Sequence, residues 1–166
     1  MSAKNNAGEK NQRSVHHATF VIERQYLATP AQVFTAWSQP AAKARWFCGG
    51  EKWTQRTREM EFRVGGHERL VGAWAGGPVS TFVSCYQDIV SNQRIVYSYD
   101  MHLDENRISV SLATIEFKAE GTGTRLIVTE QGVFLDDFDN SAAREVGTKL
   151  LLDQLGLALQ NSPDAG

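Results

Sequence analysis

The feature that most constrains this chain is a long middle section in which apolar-alternating segments are cut by turn residues at short intervals. The segments 53–64, 67–74, 79–89, 94–101, 108–119 and 125–130 are divided by Gly65-Gly66, a Gly-Gly-Pro break at 76–78, Ser91-Asn92 and Gly121-Thr122-Gly123. Period-two alternation rich in β-branched and aromatic residues, bounded by Gly, Pro, Asn and Ser, is the pattern of strands. Connections this short join antiparallel neighbours, because a parallel pair needs a crossover of a dozen or more residues. The section predicts an antiparallel meander of about six strands. A further run at 19–26, TFVIERQY, predicts a strand ahead of it.

Helical signals flank the meander. At 28–38, Thr29 is placed to cap free N–H groups and Pro30 sits at the first helical position, while Val33, Phe34 and Trp37 fall on one buried face. Pro40 interrupts, and 41–47 reads as a second short helix ended by Gly49 and Gly50. A long last helix starts at a cap supplied by Asn140 or Ser141 and runs to about Gln160. On a 3.6-residue period Lys149, Asp153, Gly156 and Gln160 share a polar face, opposite Gly147, Leu151, Leu155 and Ala158. Residues 1–17 are polar and predict a disordered tail, 18–161 a single domain, and 162–166 a flexible end.

Strand, two short helices, meander and long helix make an α+β pattern in which a curved antiparallel sheet of six to seven strands wraps a C-terminal helix. The chain resembles the START-type, or helix-grip (SRPBCC), superfamily that includes the birch pollen allergens and polyketide cyclases. Within it, the chain resembles the branch of homologues of the activator of the heat shock protein 90 ATPase. The resemblance rests on IERQYLATPAQVFTAWSQP, RWF at 45–47, EFRVGGHERL at 61–70, GTRLIVTEQGVF at 123–134 and AREVGTKLLLDQL, in that order. One departure is Glu68, where such relatives carry an aromatic soon after the glycine pair. The resemblance implies a hydrophobic cavity, or a surface for a protein partner, more than it implies a reaction.

The chemistry-bearing residues are few. Cys48 lies at a predicted helix C-terminus, where the helix dipole opposes a thiolate, so it reads as a core or rim residue rather than a nucleophile. The four histidines and two cysteines form no zinc-type spacing, and no metal or cofactor is expected. Gly65-Gly66 lies between strands and reads as a turn, not as a phosphate loop. A net charge of −2 gives no pull toward nucleic acid. No run of apolar residues is long enough for a membrane span, and a cytoplasmic protein is expected.

A pocket between sheet and last helix is expected to be lined by Trp37, Trp46, Phe47, Arg69, Trp74, Tyr97, Tyr99, Glu130, Leu151 and Gln154. Glu130 ends the row Leu126, Val128, Glu130 on one strand face, and Gln154 lies near the apolar stripe of the helix, so both read as polar fixtures in apolar surroundings. Trp46 and Phe47 read as its rim. The leading functional expectation is a non-enzymatic binding domain for a hydrophobic or amphipathic small molecule. A co-chaperone acting on a chaperone partner is the second, and a cyclase- or hydratase-type enzyme using Glu130 or His67 the third. Monomer and homodimer are both left open.

Overall fold

In the computed structural model, which describes residues 12–162, each of the turn signals closes an antiparallel hairpin. The elements are β1 (Val15–Tyr26), α1 (Pro30–Ser38), α2 (Pro40–Ala44), β2 (Trp53–Met60), β3 (His67–Trp74), β4 (Val79–Val90), β5 (Arg94–Leu103), β6 (Asn106–Glu120), β7 (Gly123–Leu135) and α3 (Ser141–Gln160). The sheet order is β1-β7-β6-β5-β4-β3-β2, so the meander runs in sequence order and β1 joins beside β7, leaving β1 and β2 as edges. β2 carries a register shift between Gln55 and Thr57. The expected disorder of the tail and of the last residues falls largely on 1–11 and 163–166, outside the described residues.

The helix starts follow the residues that announce them. Thr29 accepts from the Gln32 amide while the Gln32 side chain accepts from the Thr29 amide, closing a capping box ahead of Pro30. Asn140, one of the two expected caps, accepts from the Ala143 amide at the start of α3. Val33, Phe34 and Trp37 are buried as their spacing predicts.

Several boundaries differ from the sequence reading. β1 begins at Val15, because Ser14 donates its amide to Asp136 and His16 and His17 pair with the far end of β7. β7 accordingly continues to Leu135, five residues past Glu130. β2 stops at Met60 rather than at 64. Phe62 leaves the strand to pack edge-on against Phe34 and Tyr86, with ring centroids 5.7 and 5.0 Å apart. α2 ends at Ala44, and 45–48 is a tight turn that carries Trp46 and Phe47 inward.

The face of α3 is rotated from the one expected. Leu152 and Leu155 are its fully buried residues, Leu151 and Ala158 are half-buried, and Gly147 is exposed. The reason is local docking: Tyr26 donates its hydroxyl to the Leu152 carbonyl at 2.8 Å and its ring lies against Gly156. The contact with β1 and α1 therefore sets the rotation. Val146 and Leu150 remain 58–59% exposed on the outer side, and Leu157 is 60% exposed on the same stripe where it borders the end of β1 and the short helices. Among the described residues no helix is long and apolar enough to cross a membrane.

Candidate functional site

Two buried carboxylates face inward from the sheet, and each meets a cation delivered by a helix. On β3, strand alternation buries Glu68 and Leu70 and exposes His67 and Arg69. Lys43, on α2, reaches Glu68 with Nζ 2.5 Å from Oε1, and both side chains are 1% exposed. The Tyr86 hydroxyl donates to the same oxygen at 2.7 Å. Glu68 Oε2 has no hydrogen-bond partner among the described residues.

Around the ammonium stand four aromatic rings: Phe47 at 4.5 Å from centroid to Nζ, Trp37 at 5.5 Å, Tyr97 at 5.7 Å and Tyr86 at 5.9 Å. These distances suit attraction of a cation to the ring quadrupole. Burial pushes the Lys43 amine below its ordinary value, opposed by the Glu68 charge and hydrogen bond. Burial, with Glu68 adjacent, pushes the Tyr86 hydroxyl well up, which keeps it a neutral donor.

The second carboxylate, Glu130, sits on β7 and is 4% exposed. It accepts from the Tyr99 hydroxyl. Arg144, in the first turns of α3, donates to Tyr99 Oη (2.9 Å), Ser109 Oγ (2.8 Å) and Asp139 Oδ2 (2.9 Å), and lies 3.6 Å from Glu130. Burial lifts the Glu130 carboxyl above the usual range, with Tyr99 and Arg144 pulling the other way. Burial also raises the Tyr99 hydroxyl.

The aromatic side chains expected to line a pocket pack largely against one another. Trp37, Trp46, Phe47, Tyr97 and Tyr99 are 0–8% exposed, and neighbouring rings along Trp37, Trp46, Phe47 and Phe82 pack edge-on with centroids 4.7–5.6 Å apart. An open volume lies instead outside this column. A groove of about 980 Å³ runs between the end of β1, helices α1 and α2, and the C-terminal half of α3, with Ala36 and Leu152 among its walls. Leu27 and Leu157 are exposed on it, and Arg45 projects from the turn after α2 with no partner among the described residues. A smaller hollow of about 430 Å³ shares Arg45, Leu157 and Ala158 with it and adds Gln154.

The structure thus brings together Trp37, Trp46, Phe47, Tyr97, Tyr99 and Glu130, with Leu151 half-buried against them. Gln154 lies at the groove side, with the Cys48 Sγ 3.9 Å from its Oε1. Arg69 and Trp74 do not join them. Arg69 is exposed on the outer face of β3, and Trp74 is half-buried at the strand's end, donating from Nε1 to the Gly49 carbonyl at 3.3 Å. Lys43, Tyr86, Arg144 and Arg45 were not expected. The signal for Lys43 was Glu68 itself, since an inward carboxylate in an alternating strand requires a counter-charge. Among the described residues no group of three His, Cys, Asp or Glu side chains is close enough to hold a metal ion.

A seven-stranded antiparallel sheet backed by a C-terminal helix, with two short helices after the first strand, defines a helix-grip α+β domain. The family model described as activator of Hsp90 ATPase homolog 1-like protein matches residues 27–160, and the chain belongs to that family. Among solved structures, an uncharacterized protein from Rhizobium leguminosarum is 46% identical, with a TM-score of 0.87 over 91% of this chain and 99% of that one. The Mll3558 protein from Rhizobium loti is 42% identical, with a TM-score of 0.81 over 87% and 99%. CalU16 from Micromonospora echinospora, 20% identical with a TM-score of 0.58 over 93% and 87%, shares the fold alone. The comparison with curated proteins gave no match.

Proposed function

We propose that this chain is a binding domain for an amphipathic small molecule, held in the groove between α1, α2 and α3 rather than between sheet and helix. The observation that carries this reading is the groove of about 980 Å³, whose mixed lining sets apolar surface from Ala36, Leu152, Leu157 and Ala158 beside the paired Arg24 and Asp153 and the Arg45 guanidinium, which has no partner among the described residues. Its volume is that of drug-sized ligand sites, which run from about 300 to 1,000 Å³. Ala36, Leu152, Leu157 and Ala158 offer surface to an apolar body, and Arg45 offers a fork to an acceptor head group. Native mass spectrometry of the protein purified from cells is expected to show a noncovalent adduct. Leu157→Asp and Arg45→Glu, both at exposed positions, are expected to abolish it. An adduct unchanged in both variants moves the ligand elsewhere, and an adduct-free wild type overturns the reading.

The second reading, a domain that docks on a chaperone, is supported by the family description and by the exposed Val146 and Leu150 on the outer side of α3. Apolar side chains set at helical spacing on one outer face are a common mark of a protein interface. Purified Hsp90-type chaperone whose ATPase rate is unchanged by saturating protein removes this reading.

A further inference from the structure

We propose that the chamber now occupied by the Lys43 ammonium is a receptor for an organic ammonium group, with α2 as a gate that carries its own plug. The chamber has the acceptor set such a ligand needs. Four ring faces surround one cation position at 4.5–5.9 Å, and a carboxylate oxygen lies at 2.5 Å. Glu68 Oε2 is buried and unpartnered, so the floor has acceptor capacity that the lysine leaves unused. Of the three donors on Nζ, one meets Glu68 and one makes a long 3.5 Å contact with Tyr86.

α2 is the wall between this chamber and the groove. Ala42 and Arg45 face the groove, while Lys43, Trp46 and Phe47 fill the interior. The wall is thin and lightly tied: five helical residues beginning at Pro40, no side-chain bond at the Gln39 cap, and Gly50 at φ +89° on its far side. Its ties from other elements include Trp46 Nε1 to the Ala36 carbonyl at 3.0 Å and Arg58 to the Phe47 carbonyl at 2.6 Å.

Exchange of one ammonium for another is what makes entry affordable. A neutral ligand that expelled Lys43 would leave Glu68 charged and unpaired in an apolar interior, which is strongly unfavourable. An incoming ammonium restores the pair while Lys43 regains water. The ligand class is therefore a primary to tertiary alkylammonium on a short apolar body, which keeps an N–H for Glu68. The inference does not rest on the groove reading, because the chamber's recognition groups lie inside the core.

The test uses two probes. In the wild type, amine acetylation is followed by peptide mass spectrometry with and without hexyldimethylammonium, whose tertiary nitrogen forms no stable amide. A several-fold acceleration at Lys43 with no change at the exposed Lys149 is expected. No change at Lys43, or equal acceleration at both lysines, overturns the proposal. In Lys43→Ala, n-propylammonium replaces the missing side chain and is expected to raise Tm saturably. n-Propanol is expected not to do so, and neither probe should act on Lys43→Ala/Glu68→Gln. An equal response to propanol marks an apolar hole rather than an ammonium receptor and overturns the proposal. If the alanine variant does not fold, the wild-type acetylation decides alone. Neither readout responds to Leu157→Asp, so failure here and failure of the groove reading are separable.

Discussion

Glu68 and Glu130 are both buried on inward strand faces and both paired to a helix-borne cation, yet they are satisfied to different degrees. Arg144 spreads its planar fork over Tyr99, Ser109 and Asp139, so the second site ties the start of α3 to the sheet through several directed bonds. Lys43 is a point charge ringed by aromatics, and its carboxylate keeps one oxygen without a partner. A fully bonded network specifies geometry, whereas a half-bonded ion pair is held chiefly by the absence of any alternative. The first belongs to a brace and the second to something that can be exchanged.

The sharpest way to break this contrast is Lys43→Met, which strands Glu68 and is expected to cost about 3–5 kcal/mol in urea unfolding. Arg144→Ala removes a donor from a partly solvated network and is expected to cost less, about 1.5–3 kcal/mol. If the order is reversed, loss of Lys43 does not strand Glu68, and the contrast between the two carboxylates fails. Glu130→Gln tests the pH arm. Burial lifts the Glu130 pKa, so the folded chain holds a proton that the unfolded chain has already released. Stability then falls as pH rises from the usual carboxylate range through the folded pKa, by at most about 1.4 kcal/mol per pH unit. Glutamine is expected to flatten that decline in unfolding curves taken at stepped pH, and an unchanged slope assigns it to other groups. The smallest effect belongs to Lys43→Met/Glu68→Leu/Tyr86→Phe. Replacing the whole polar cluster with apolar groups is expected to return stability to within about 1 kcal/mol of the wild type or above it. A triple variant as unstable as Lys43→Met would mean that the cluster's shape, not its charge balance, holds α2.

The meander was legible because period-two burial and turn chemistry act locally, and Leu126, Val128 and Glu130 are all buried as alternation requires. α1 was legible for the same reason, through Thr29, Pro30 and the spacing of Val33, Phe34 and Trp37. The rotation of α3 was not, since it depends on Tyr26 meeting Leu152 from a strand 126 residues away in the chain. Phe62 belonged to a predicted strand until Phe34 and Tyr86 supplied a better contact. Of the aromatics of the expected pocket, Trp37, Trp46, Phe47, Tyr97 and Tyr99 are buried and Trp74 is not, and composition alone does not say whether large rings line a space or occupy it. Lys43 lay in a segment read as helix, where a lysine is ordinarily solvated, and only the inward Glu68 on another element reverses that.

The sheet's free margin at β2 has a consequence for how this molecule meets others. An unpaired strand presents a ladder of N–H and C=O groups that any extended chain can copy. Here that margin carries Arg56, Arg58 and Glu59 and is kinked by the irregularity at Gln55 and Thr57, so its ladder is charged and out of step. Such a margin is a poor template for a guest strand. With the β2 margin blunted, the unpaired ladder that remains in the sheet is that of β1, whose end borders the proposed groove.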